Sequence, residues 1–224
     1  MLKFVPVPIS EHDSILGKDF AKNFAKEMKG YYAPFLNKKR DIQIAKETWE
    51  YAVADSIPGA SWVGAGKNVV DVITPNASID VKGISIAKMG KSFTTEASFL
   101  QNNKTENDGF GILFKNKDYQ ALKNMFVDPW LDKVNATDNL YLLAIVREKG
   151  KKDVYYCLLR IEESAILEAE FVKEMCVNGD RSVDVPLIDP NYGRTYIYIS
   201  KRRLEIRLNC EGLQNYMVFS HSYK

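Results

Sequence analysis

The sequence predicts a single α/β domain of the α+β kind, with a central mixed β-sheet flanked by helices. Three observations lead to this prediction. Apolar residues at helical spacing alternate along the chain with β-branched runs of period two, so helices and strands are interspersed. A regular β-α-β repeat is missing, which favours a mixed sheet over a purely parallel one. The 224 residues, 46% hydrophobic and 27% charged, suit a globular unit that needs no disulfide or structural metal.

Two helices are predicted before the first strands. Residues 13–29 carry apolar side chains at helical spacing, and the expected buried positions are Ile15, Leu16, Phe20, Phe24 and Met28. Asp41 is the expected N-cap of a second helix that runs to about Asp55. The buried stripe of this helix is predicted to consist of Ile42, Ala45, Trp49 and Ala52.

The remaining regular segments are predicted further along the chain. Apolar spacing indicates a helix over residues 116–134, broken at Pro129, and a short helix over 164–175. Alternating β-branched and aromatic residues indicate three hairpins. Their strand pairs are 69–73 with 78–86, 139–147 with 154–162, and 195–200 with 204–208.

The composition argues against several classes of protein. The three cysteines form no CxxC pair, so we expect a reducing, cytoplasmic location and neither a disulfide framework nor a zinc site. The two histidines, His12 and His221, lie near the termini, which disfavours a Ser-His-Asp triad and an HExxH site. No apolar stretch has membrane-spanning length, and the first residues lack a signal-peptide pattern. The net charge of +2 does not by itself indicate a nucleic-acid ligand.

The first hairpin carries the residues with chemical potential. Its segment reads NVVDVITPNASIDVKG, and its central turn residues are Pro75 and Asn76. This register places Asp71 opposite Asp80, and Lys82 lies on the same face because side chains alternate along a strand. The opposite face, directed towards the core, is predicted to hold Val70, Val72, Ile79 and Val81.

Asp71 and Asp80 are expected to bind a divalent cation. Directly opposed residues have Cβ atoms about 4.5–5.5 Å apart, so two carboxylates repel each other there unless a cation neutralises them. Two carboxylates, the backbone carbonyl of Val81 and several waters suit Mg²⁺, with Mn²⁺ as substitute. Lys82 can neutralise phosphate charge or help to deprotonate an attacking water. A plain surface ion pair between Lys82 and one aspartate is the alternative interpretation.

This hairpin resembles the signature of the PD-(D/E)XK nuclease superfamily, which includes many type II restriction endonucleases. In that signature an acidic residue on one strand and a (D/E)-x-K triplet on the next strand hold the catalytic metal. Asp71 matches the acidic residue, and Asp80-Val81-Lys82 matches the triplet. Val70 stands where the signature has proline.

The resemblance, which covers residues 47–83, also implies a further acid and a fold. The family often adds a glutamate from a preceding helix, and Glu50 is the better match, with Glu47 in second place. Both glutamates also fit a solvated helix face. For a single domain spanning 1–224, the resemblance implies a restriction-endonuclease-like catalytic core at about 41–160. Target-recognition elements are then expected in 84–118 and 176–224.

The activity that the resemblance implies is that of a Mg²⁺-dependent endodeoxyribonuclease, specifically a sequence-specific type II restriction enzyme that leaves a 5′-phosphate. Asp71, Asp80 and Glu50 then hold the metal, and Lys82 stabilises charge. Cutting both strands of a palindromic site favours a homodimer on double-stranded DNA. Two alternatives stay open. One is a structure-selective repair or recombination nuclease, and the other is a non-catalytic DNA-binding or protein-interaction module with a nuclease-like fold.

Basic residues outside the hairpin are the candidate DNA contacts, because lysine and arginine supply most phosphate contacts. They are Lys38, Lys39, Arg40, Lys67, Lys88, Lys91, Lys201, Arg202 and Arg203. Lys67 ends a Gly-Ala-Gly-Lys run, but Ser61 and Asn68 stand where a phosphate-binding loop needs glycine and a hydroxyl residue. The polar segment 88–107 is expected to face DNA or to be a plain loop.

Overall fold

The computed structural model describes residues 2–32, 44–64, 70–99, 109–149, 151, 153–164, 173–177 and 179–220. These residues form a mixed α+β fold, as the sequence predicts. In chain order the elements are β1 (Leu2–Pro6), α1 (Ile9–Leu16), α2 (Phe20–Tyr32), α3 (Lys46–Ser56), β2 (Ser61–Trp62), β3 (Val72–Ile73), β4 (Ser78–Ile86), β5 (Ser92–Phe99), α4 (Gly109–Lys115), α5 (Tyr119–Ala136), β6 (Leu140–Glu148), β7 (Val154–Glu163), β8 (Lys173–Val177), β9 (Asp180–Asp184), β10 (Gly193–Tyr198), β11 (Arg203–Asn209) and β12 (Met217–Ser220).

The first sheet is the mixed sheet that was expected. Its strand order is β1-β7-β6-β4-β3-β2, and β12 also pairs with β7. Strands β4 and β6 run parallel to each other, whereas the other pairs of this sheet are antiparallel. The three predicted hairpins are present, since β3 pairs with β4, β6 with β7, and β10 with β11.

A second, five-stranded antiparallel sheet was not predicted. Its order is β5-β11-β10-β9-β8. Strand β5 occupies residues 92–99, inside the polar segment that was expected to be a loop or a DNA-facing stretch. Its alternation is inconspicuous in the sequence because Phe93 and Ala97 are its buried apolar side chains between polar neighbours. Pairing with β11 therefore stabilises this strand more than its own composition does.

The two faces of the first sheet pack against different layers. Helices α1 to α3 cover one face, where Phe24 and Trp49 pack with Leu143 in one apolar cluster. Helix α5 and the second sheet cover the other face, where Phe126 and Ile206 belong to a second apolar cluster. Strand β4 therefore lies between layers, and successive side chains along it face opposite surroundings.

The N-terminal helices differ from the prediction in their boundaries. The helix predicted over 13–29 is two helices, separated at Gly17, whose φ of +87° is a conformation that glycine adopts easily. All five side chains predicted to be buried there are buried. Helix α3 begins at Lys46 after a non-helical Ala45, and the predicted cap Asp41 and stripe residue Ile42 lie outside the described residues.

Two helix predictions in the second half were wrong. Pro129 does not break α5, because the buried side chains of Phe126 and Trp130 anchor the helix on both sides of the proline. Residues 173–175, predicted as the end of a helix, belong to β8, since pairing with β9 satisfies their backbone groups. The rest of that predicted helix, 165–172, lies outside the described residues. None of the described helices is long and apolar enough to span a membrane.

Candidate active site

The β3–β4 hairpin has the predicted register, with Val72 opposite Ile79. The ladder stops there because the chain bends at Asp71. Consequently the predicted strand 69–73 is shortened to Val72–Ile73, and Val70 packs in the cluster of the opposite sheet face from Val72. Val70 is therefore buried in the core, as predicted, but on the other face of the sheet, whereas Val72, Ile79 and Val81 share the predicted face.

Asp71 is fixed to strand β4 by two hydrogen bonds. Its backbone N–H donates to the Ile79 carbonyl at 3.1 Å, and its Oδ2 accepts from the Val81 N–H at 2.8 Å. The carboxylate thus takes the place of a ladder partner for Val81. In a strand the N–H and C=O of one residue point to the same edge, so the Val81 carbonyl is directed to the edge where Asp71 lies.

Asp80 is buried and contacts two ammonium groups. Its relative exposure is 3%. Lys82 contacts Asp80 Oδ1, and Lys133 Nζ lies 2.9 Å from Asp80 Oδ2. Lys133 comes from α5, where its ammonium also lies 4.3 Å from the centre of the Trp130 ring. Sequence reasoning missed Lys133, because a lysine far along the chain in an amphipathic helix gives no local signal of this contact.

Glu50 reaches the same cluster from α3. Its side chain is fully buried, and Oε2 accepts a hydrogen bond from Trp62 Nε1 at 3.0 Å. Lys46 Nζ lies 2.9 Å from Glu50 Oε1 and 3.4 Å from Asp71 Oδ1, so this lysine bridges the two carboxylates. Glu47, the second choice, is exposed. Of the two glutamates, only Glu50 is brought to the hairpin.

A close approach of α3 to β4 sets the position of Glu50. Gly83 faces the indole ring of Trp49, and a Cβ atom on Gly83 would lie only 2.1 Å from Trp49 Cδ1. The absence of a side chain at Gly83 therefore allows α3 to pack directly against β4, the strand that carries Asp80 and Lys82. The neighbour of Trp49 in the chain is Glu50, so the same contact positions the buried glutamate.

The pKa values of the two aspartates are shifted in opposite directions. Burial and the nearby charge of Asp80 raise the pKa of Asp71, against the opposing influence of Lys82 and Lys46. Burial also favours the neutral form of Asp80, but Lys82 and Lys133 outweigh it and lower the pKa of that carboxyl. Partial burial disfavours the charged form of Lys46, but Glu50 and Asp71 outweigh this and raise its pKa. The cluster therefore favours additional positive charge next to Asp71.

The donor set fits one hard cation that keeps part of its water shell. Buried Asp80 Oδ1 contacts the ammonium of Lys82, and Glu50 Oε1 lies 2.9 Å from Lys46 Nζ, so each oxygen is paired with a lysine that a bound cation would displace. Carboxylate oxygens are the ligands that Mg²⁺ prefers, and one or two of them suffice when waters and phosphate complete the shell. Among the described residues, no three acidic, histidine or cysteine side chains converge closely enough to hold an ion by themselves. The residues thus fit a site built on Asp71 and Asp80, with Glu50 behind it.

A cleft of about 490 Å³ opens between β4 and the second sheet. Lys46 and Lys82 line it, and the carboxylates that they contact lie beneath them. The opposite wall carries polar and aromatic side chains of the second sheet. These are Thr94, Glu96, Tyr196, Lys201, Arg203 and Glu205.

The predicted DNA contacts have different positions. Lys38, Lys39, Arg40 and Lys67 lie outside the described residues. Lys88 and Lys91 are exposed in the connection between β4 and β5, and Lys201 lines the cleft. The guanidinium of Arg202 lies 5.2 Å from the centre of the Phe110 ring, whereas that of Arg203 contacts Glu96 and Glu205. Arg203 lines the cleft, and its guanidinium is already paired with these two carboxylates.

Comparison of the chain with family models, with curated proteins and with solved structures finds no match. The resemblance to the nuclease superfamily consequently depends on the hairpin residues and on the geometry around them.

Proposed function

We propose that this protein is a Mg²⁺-dependent endodeoxyribonuclease with a restriction-endonuclease-like core. One observation carries the proposal. Asp71 and Asp80, buried at 8% and 3% exposure, lie close enough for their charges to interact, and Lys82 contacts Asp80 from the cleft side. A hairpin selected for stability alone avoids two neighbouring buried carboxylates, because each ion loses hydration and repels the other.

In the proposed reaction each residue has a separate task. Asp71 and Asp80 hold Mg²⁺, and Mn²⁺ can replace it. When bound, the ion supplies Lewis-acid polarisation of the phosphodiester. Lys82, at the cleft surface, stabilises the charge that develops on the phosphate and assists proton removal from water. Glu50 holds Lys46 beside Asp71, so these two residues tune the charge of the site from α3.

The finer proposal is a sequence-specific type II restriction enzyme that acts as a homodimer on double-stranded DNA. Support comes from the second sheet, which places a polar wall opposite the candidate active site and offers room for target recognition. A structure-selective nuclease of repair or recombination uses the same chemistry, and cleavage patterns on defined substrates separate the two.

One observation favours a non-catalytic DNA-binding or protein-interaction module as the second candidate. The three carboxylates are balanced by three ammonium groups, from Lys46, Lys82 and Lys133, within the described part of the chain. Such a network satisfies its own charges without a metal. For a non-catalytic module of this kind we expect a melting temperature that Mg²⁺ leaves unchanged. The proposed nuclease, in contrast, is stabilised by Mg²⁺.

The experiment is incubation of the protein with supercoiled plasmid in Mg²⁺, Mn²⁺ or EDTA, beside an Asp80→Ala variant. We expect nicked or linear DNA only with metal and only from the parent. The matched control is Asp128→Ala, which removes an exposed carboxylate on α5 and should cut as the parent does. Equal cutting by Asp80→Ala contradicts the assigned site.

A second measurement needs no activity. Mg²⁺ that binds only the folded protein stabilises it by about 1.4 kcal/mol at ten times its dissociation constant. The parent should therefore melt at a higher temperature in Mg²⁺, and Asp80→Ala should not. Retarded but uncut DNA, together with a melting temperature that Mg²⁺ leaves unchanged, favours the non-catalytic module.

A further inference from the structure

Two exposed arginines face each other across neighbouring strands of the second sheet, on the face that carries Tyr196 and Glu205. Arg194 of β10 lies directly opposite Arg207 of β11, and both side chains are exposed. The other side of these strands enters the core, where Ile197 and Ile206 belong to the apolar cluster. Like charges directly opposite each other destabilise an antiparallel pair, so the juxtaposition does not serve the stability of the sheet.

The nearby carboxylate neutralises this pair only in part. Arg194 Nε lies 3.7 Å from Asp184 Oδ1, which is a loose ion pair, and the Arg194 side chain keeps 59% of its exposure. Arg207 Nε donates to Ser92 Oγ at 3.0 Å. Among the residues that the structure describes, no carboxylate lies within ion-pair distance of Arg207. Within the described residues, the two guanidinium groups thus have a single loose carboxylate partner, Asp184 beside Arg194.

A cavity of about 390 Å³ lies beside the arginine pair. Ser92 and Asn209 contribute polar groups to its lining, beside the guanidinium groups of Arg194 and Arg207. Tyr196 lines both this cavity and the 490 Å³ cleft at the candidate active site, so the two openings adjoin on one face of the second sheet. Along β11, Arg207 lies four positions from Arg203, which corresponds to roughly 14 Å at about 3.4 Å per residue.

We propose that Arg194 and Arg207 bind one backbone phosphate of a nucleic-acid strand that continues from the active-site cleft. This inference rests on the proposed function and deepens it, because it assigns a positioning contact away from the reacting phosphodiester. A guanidinium presents a planar fork of N–H donors that matches phosphate oxygens, and two forks side by side suit a single phosphate group. The contact carries no base information and sets the register of the strand.

The test measures binding of a fluorescent DNA duplex in EDTA over a series of salt concentrations. For the Arg194→Gln, Arg207→Gln double variant we expect affinity about tenfold weaker at moderate salt. The slope of log K against log salt should fall by about 0.9, as for one lost phosphate contact on B-DNA. The control is Arg160→Gln on β7, an arginine with 46% side-chain exposure and an ion pair to Glu162, which should change neither quantity.

The outcomes separate this site from the proposed activity. An unchanged salt slope in the double variant, with metal-dependent cleavage intact in the parent, overturns the phosphate site alone. A reduced slope in the double variant, together with a parent that never cuts DNA, supports the phosphate site and overturns the nuclease. A third arm adds inorganic phosphate in a melting experiment. Stabilisation of the parent but not of the double variant, with equal DNA binding by both, overturns the backbone contact in favour of a small-anion site.

Discussion

Two carboxylate clusters adjoin the same cleft, and they differ in the cation that contacts them. The lysine cluster comprises Glu50, Asp71 and Asp80 with Lys46, Lys82 and Lys133. The arginine cluster comprises Glu96, Glu205 and Tyr196 around Arg203. The lysine cluster lies on the first sheet and its flanking helices, and the arginine cluster lies on the second sheet.

Arginine and lysine differ in how easily another ion can displace them from a carboxylate, and this difference distinguishes the two clusters. Arg203 holds Glu96 Oε2 at 2.9 Å and also contacts Glu205, whose other oxygen accepts from Tyr196 at 2.9 Å. A planar guanidinium in such a fork is fixed in direction. A lysine ammonium is a point charge on a flexible stem, so a metal or a phosphate can displace it from a carboxylate. Glu205 is a buried carboxylate outside the candidate metal site, so the proposed site rests on carboxylates that contact lysines.

The largest expected effects come from neutralising one acid in each cluster. Asp80→Asn should lower the cleavage rate more than about 100-fold, because it removes a proposed metal ligand. Glu205→Gln should leave cleavage within a few fold but lower the free energy of unfolding by about 3 kcal/mol, since it breaks a buried ion pair. Plasmid cleavage rates and urea denaturation measure the two quantities.

The Tyr196 phenol provides a check on the structural part of this comparison. Burial and the charge of Glu205 raise the pKa of Tyr196 to about 12. In Glu205→Gln the tyrosine should titrate at lower pH, which ultraviolet absorbance detects. If Glu205→Gln abolishes cleavage in a protein that is still folded, the arginine cluster has a catalytic part and the contrast between the clusters fails.

A smaller effect is expected from Gly83→Ala, which acts on the lysine cluster only. A Cβ atom at 2.1 Å from Trp49 Cδ1 must push α3 away from β4. We expect a loss of about 1–3 kcal/mol in stability from overpacking. Displacement of Glu50 and Lys46 by about 1 Å should reduce cleavage by up to about 100-fold.

Gly90→Ala is the matched control for this substitution. Gly90 has no atom within 4 Å of its would-be Cβ, and it lies in the connection after the same strand. Its replacement should leave melting temperature and cleavage unchanged. Equal activity of Gly83→Ala and Gly90→Ala would show that the α3 contact does not position the site.

The hairpin was predictable because local chemistry determines it. Pro75 and Asn76 fix the turn, the turn fixes the register, and alternation then assigns Asp80 and Lys82 to one face. Glu50 was predictable only through the family resemblance, because its burial depends on the indole of Trp62.

The other features of the fold and of the site were not predictable, because they depend on contacts between segments that lie far apart in the sequence. Lys133 meets Asp80 through the packing of α5, and its own sequence neighbourhood contains no sign of a carboxylate partner. Strand β5 gains its partner from β11, more than 100 positions further along the chain, so a polar stretch becomes a wall of the cleft. The Arg194–Arg207 pair likewise appears only when the register of the last hairpin is known.

The smallest expected change in stability distinguishes the two aspartates within the lysine cluster. Asp71 has a raised pKa, so the folded protein binds its proton more strongly than the unfolded chain does, and ionisation of Asp71 costs stability as pH rises. Asp71→Asn should therefore stabilise the protein by about 0.5–2 kcal/mol near neutral pH while abolishing cleavage, and this gain should vanish below about pH 4.

Asp80 has a lowered pKa, so its charge stabilises the fold above about pH 4. Asp80→Asn should therefore lose stability at neutral pH, and the loss should shrink as the pH falls. Urea denaturation between about pH 2 and about pH 8 measures both trends. Parallel pH profiles for the two variants would mean that Asp71 bears no electrostatic penalty, and the case for a cation beside it would lose its physical basis.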